Sequence, residues 1–246
     1  MPNFFLSLGA ACRPAYQLQR LFCSDFISGP FDWTITPHQS LEVFFQPGFD
    51  PRQTLLPEHI IFASDGGVTC SYTKLLFHHG LGGADISALR TGIARHSPSP
   101  ELQLLESENY HATRGRFLHT SSRLLDLCAG KNQLTFLRWI GAGIDTPSDQ
   151  RLAHCGVPDV WIRHDNIYKL EALISRRFPN LEFRLVLAQS RYCAEITPDQ
   201  ERISVATISP RLLSVSLLES YPEEYTGDDL AWDALGALLA PMTTQD

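Results

Sequence analysis

The chain has 246 residues, 43% of them hydrophobic and 19% charged, with a net charge of −7. That length supports one large domain with a substantial core. The acidic balance disfavours duplex nucleic acid and anionic membranes as partners, and with no run of 18 apolar residues no membrane-spanning helix is expected.

In chain order, residues 3–9 read as a strand, with Phe4, Phe5 and Leu6 running into a turn at Gly9. Residues 12–23 read as a helix, because Ala15, Leu18, Leu21 and Phe22 recur at helical spacing and Pro14 suits a first helical turn. A loop rich in aromatics and proline follows, containing Ser28-Gly29-Pro30-Phe31-Asp32-Trp33-Thr34. A short helix is expected from Pro37 to Phe45, with Thr36 as its N-cap. Strand pieces are expected at His59–Phe62 and Val68–His79, joined by the hairpin signal Asp65-Gly66-Gly67. Residues 101–128 and 164–177 read as helices, and 133–140, 181–188 and 203–208 as strands. Asp228–Leu239 reads as an amphipathic helix. The pattern is mixed α and β.

The N-terminus lacks the charged leader of a signal peptide, so a cytoplasmic chain with reduced thiols is expected. Six scattered cysteines form no C-x-x-C pair, and no histidine–cysteine spacing calls for a metal; no cofactor is expected. Walker, dinucleotide-binding and G-x-S-x-G patterns are all missing.

Cys12 is the residue of greatest chemical interest. At a helix start it would meet unpaired N–H groups and the positive end of the helix dipole, both of which favour thiolate. The alternative is a small buried hydrophobe. A nucleophilic thiol needs a base, and His78 and His79, in Phe77-His78-His79-Gly80, are the candidates. On a strand they point to opposite faces, so only one would meet Cys12. Asp32, between two aromatics, would cap backbone, pair with an arginine or orient the imidazole. Arg138, in an apolar strand, would pair with a carboxylate such as Asp32 or bind an anionic substrate group.

Three stretches carry a resemblance: Ser7-Leu8-Gly9-Ala10-Ala11-Cys12, Ser28-Gly29-Pro30-Phe31-Asp32-Trp33 and Phe77-His78-His79. Together they resemble a family of papain-like cysteine peptidases of unknown function. The resemblance is good over about residues 4–80 and thin afterwards. It implies an α+β papain-like fold in a single domain, 1–246, with an excursion around 80–130. In that fold a helix carrying the cysteine packs on a mostly antiparallel sheet. It also implies Cys12 as nucleophile, His78 or His79 as base, Asp32 as third member, and Ser7, Trp33 and Arg138 as substrate contacts. The expected activity is hydrolysis or acyl transfer on a peptide, amide or thioester through a thioester intermediate. Two other readings stand beside it: a papain-like binding module without turnover, and an anion or nucleotide binder at the first helix start.

Overall fold

The computed structural model describes residues 3–9, 12–62, 68–77, 81, 104–139, 164–220 and 228–240. A five-stranded sheet contains β1 (Asn3–Ser7), β5 (Gln133–Trp139), β6 (Glu182–Cys193), β8 (Leu212–Ser220) and β7 (Ile203–Ser209), in that spatial order. A smaller sheet contains β2 (Ile60–Phe62), β3 (Val68–Cys70) and β4 (Leu76–Phe77). Helices α1 (Arg13–Phe22), α2 (His38–Phe45), α3 (Glu108–Ala129), α4 (His164–Arg177) and α5 (Asp229–Leu239) accompany them.

Helices and sheets mix as expected of an α+β chain, and α1 packs on β1 and β5. The expected antiparallel character of that sheet is corrected: β1, β5, β6 and β8 run parallel, and only β7 is antiparallel to its neighbour. The connections explain this. β5 returns to β6 through α4, and a strand that returns through a helix comes back parallel. The buried stretch Leu134–Arg138 carries the same message, since five successive buried residues mark a strand covered on both faces.

The strand residues divide between two cores by alternation. Phe5, Leu137, Val186, Ala188, Val215 and Leu217 pack with Leu18 of α1 and with Trp232 and Leu235 of α5. The other face presents Leu6, Phe136, Leu185 and Leu187 to α2, α3, α4 and the small sheet. Burying each such side chain contributes about 1.5–3 kcal/mol. The two helices on the first face come very close: a Cβ on Gly236 of α5 would lie 2.9 Å from Leu21 of α1.

Local departures from the sequence reading have local causes. Val68–His79 is not one strand, because the chain turns between β3 and β4, with Lys74 at φ 61°. The Asp65-Gly66-Gly67 turn lies outside the described residues, but β2 and β3 pair antiparallel as a hairpin requires. Helix α2 starts after Pro37 and no side chain caps it; the Thr36 hydroxyl sits 2.9 Å from that of Thr34 instead. Among the described residues, no helix is long and apolar enough to cross a membrane.

Candidate functional site

Ser7, Cys12, Asp32 and Arg138 lie near the carboxyl end of β1. Ser7 closes the strand, is 1% exposed, and its hydroxyl accepts the Gly9 N–H at 3.0 Å. Gly9 takes φ +71°, a conformation that suits a residue without Cβ. A Cβ there would come within 2.5 Å of the Thr36 hydroxyl and 3.0 Å of the Phe31 carbonyl oxygen. The turn is thus pressed against the loop 28–36. Cys12 follows at the cap position of α1, half-buried, with Pro14 in the first turn.

Loop 28–36 is built around Asp32, which is 1% exposed. Its Oδ2 accepts from the Ser28 hydroxyl and from the Gly29 N–H, each at 2.8 Å. Its Oδ1 has no hydrogen-bond partner among the described residues. Arg123 of α3 donates to the Ser28 carbonyl oxygen. Burial pushes the Asp32 carboxyl up to about 7, against the lowering effects of Ser28, Gly29 and Arg123.

Arg138 is fully buried and joins the turn to the loop. Its Nη1 donates to the Leu8 carbonyl oxygen at 2.7 Å, and its Nη2 to the Thr36 carbonyl oxygen at 2.6 Å. Arg123 is a cation that acts on the Asp32 carboxyl. Burial holds the Arg138 guanidinium down to about 9. The loop is also stitched to β4, because Ile35 and Leu76 exchange backbone hydrogen bonds of 2.9 and 3.1 Å. His78 and His79, which follow β4 directly in sequence, lie outside the described residues.

Trp33 is 37% exposed and lines two openings. One is a cavity of about 620 Å³ between α1, the loop and α3, lined also by Gln19, Phe26, Asp32 and Arg123. The other is a cleft of about 40 Å³ that Phe77 and Phe117 line from the other side. A cavity of about 630 Å³ at the opposite ends of the strands, by Asn3, Gln133 and Arg184, has no cysteine or histidine among its described lining residues.

The thiol departs from expectation. Burial pushes Cys12 up to about 11, a backbone hydrogen bond at Cys12 lowers it less, and the charge of Asp32 raises it further. Desolvation outweighs the backbone hydrogen bond here, because burial penalises the charged thiolate. At neutral pH the resting Cys12 is a thiol.

Sequence reasoning missed Arg123, Arg13 and Glu219. Glu219 is fully buried in the run Leu217-Leu218-Glu219, the same charge-in-apolar-strand signal that singled out Arg138. Arg123 gave no such signal, since a helix surface arginine is ordinary.

Residues 3–191 match the model of the family described as "putative papain-like cysteine peptidase (DUF1796)", and the chain belongs to that family. Comparison with curated proteins and with solved structures gave no match.

Proposed function

Taking membership of that family as the premise, we propose that this chain performs thiol-dependent acyl chemistry at Cys12. One observation carries the reading: three segments far apart in sequence are locked together. The cysteine turn meets the Phe31-Asp32-Trp33 loop through Gly9, Thr36 and Arg138. The loop meets β4 through the Ile35–Leu76 bonds, and the chain passes from Phe77 straight into His78.

In this reading His78 or His79 takes the Cys12 proton as the sulfur attacks a substrate carbonyl, forming the C–S bond. A base is required, because burial keeps the thiol neutral. Asp32 Oδ1 orients the imidazole. Backbone N–H groups at the start of α1 hold the tetrahedral oxyanion. The imidazolium returns its proton to the leaving group as the C–X bond breaks, leaving a thioester on Cys12. Water or an amine then cleaves the thioester and regenerates the thiol.

A second reading, a binding module without turnover, is favoured by the raised Cys12 thiol alone. One experiment separates the two. The protein is mixed with p-nitrophenyl esters and acyl thioesters, and acyl mass on each cysteine peptide is followed in time. Acyl on Cys12 that discharges to water or added amine, and is lost in Cys12→Ala and in one of His78→Ala or His79→Ala, is the expected result. Acylation confined to other cysteines would leave the binding module as the function.

A further inference from the structure

Arg13, the residue after Cys12, reaches across the carboxyl ends of three strands. Its Nη1 lies 3.0 Å from the Tyr192 hydroxyl and 3.4 Å from Glu219 Oε2. Its guanidinium carbon stacks 4.7 Å from the Trp139 ring centre. Trp139 is fixed in turn, donating its Nε1–H to Ser190 Oγ at 2.9 Å. Glu219 is fully buried, and its second oxygen, Oε1, accepts from Trp232 Nε1 and from the Asp228 N–H, both at 3.0 Å.

A buried ion pair of this kind adds little net stability over a well-packed apolar pair. A planar, fork-shaped guanidinium held by three neighbours does fix a direction. That direction is transmitted to the adjacent residue, because Pro14 fixes the backbone on the other side of Arg13. In the chain Cys12 stands between the Ser7–Gly9 turn and the Arg13 clamp. The family match ends at residue 191, yet Tyr192, Glu219, Asp228 and Trp232 all lie beyond it.

We propose that Glu219, held by Trp232 and gripping Arg13, is a positioning residue for Cys12, and that these residues beyond the matched stretch belong to the working site. The inference rests on Cys12 as the reactive thiol.

The test is the pH profile of Cys12 alkylation by iodoacetamide, read by peptide mass spectrometry against N-acetylcysteine in the same tube, with thermal melting in parallel. In Glu219→Ala the Cys12 profile moves by about one pH unit or more toward the model thiol, as a loosened helix start rehydrates the sulfur. Glu219→Gln, which keeps acceptors for Trp232 and Arg13, moves it less. Trp232→Phe moves it in the same direction as Glu219→Ala and decides the matter should that variant fail to fold. Leu235→Ala, in the same core but off the clamp, lowers the melting temperature without moving the profile. An unmoved profile in Glu219→Ala and Trp232→Phe, or an equal shift in Leu235→Ala, overturns the proposal; so does a wild-type profile identical to N-acetylcysteine. Alkylation needs the Cys12 thiolate but no acyl donor, so this result stands apart from whether Cys12 turns one over.

Discussion

Gly9 and Thr36 stand so close that a single added methyl group would collide with the threonine, at 2.5 Å from its hydroxyl oxygen and 2.9 Å from its Cβ. This contact is where the cysteine turn and loop 28–36 meet, so it couples the stability of the fold to the geometry of the site.

Gly9→Ala is therefore expected to destabilise the protein. The positive φ alone costs about 1–3 kcal/mol in a residue with a side chain, and the Phe31 carbonyl oxygen at 3.0 Å closes the other direction of relief. Urea unfolding of the variant measures it. A midpoint equal to wild type would show that the turn and the loop separate freely.

Asp32 makes stability depend on pH with a definite sign. Its folded carboxyl is raised by burial from 3.8 to about 7, so the folded state binds the proton more tightly than the unfolded chain. The contribution is fully present below about pH 3.8 and is lost as pH rises through about 7. Asp32→Asn keeps an acceptor for Ser28 and Gly29 but carries no charge. Its stability relative to wild type should rise across that window, by on the order of a few kcal/mol in total. Urea midpoints of both proteins between pH 5 and 8 test this, and parallel curves would place Asp32 in contact with solvent.

Arg138 satisfies two buried carbonyls that have come to depend on it. Arg138→Met preserves volume but leaves the Leu8 and Thr36 oxygens without these donors. A loss of about 2–4 kcal/mol is expected. Arg138→Lys, which keeps the charge but not the two-pronged fork, should fall between. Equal stability of the lysine variant and wild type would show that charge, not the paired geometry, matters here.

The sequence made local elements readable and left their assembly hidden. Strand β1, helices α1, α4 and α5, and the buried strand β5 follow from apolar spacing, and each lies within a few residues of its expected place. Cys12, Asp32 and Arg138 stand out because their types conflict with their surroundings: a thiol at a helix start, a carboxylate between aromatics, a cation in an apolar strand. Strand direction was not readable, since parallel pairing of β1 with β5 joins residues about 130 positions apart. Strand β8 escaped notice because Leu212–Ser220 mixes serines with leucines in no clean alternation. The sign of the Cys12 shift was also hidden. The helix start is visible in a sequence, but the depth of burial that outweighs it belongs to the packing of the loop on the turn.

That packing leads to a last expectation, which joins the two titrating groups of the site. Burial is the first cause of the raised Cys12 thiol, and the Asp32 charge acts in the same direction. Above pH 7, where Asp32 is ionised, Asp32→Asn removes that charge and should lower the pH at which Cys12 alkylates. Burial remains in the variant, so the profile should still lie above that of a free thiol, whose ordinary value is about 8.5. At a fixed pH near 9, the variant should label faster than wild type. The measurement is the rate of iodoacetamide labelling of the Cys12 peptide from pH 7 to 11 in both proteins. A slower variant would mean that Asp32 assists loss of the thiol proton, as the third member of a Cys–His–Asp set does through its histidine. A faster one means that its charge acts directly on the sulfur, and that any help it gives the base is the smaller effect in the resting protein.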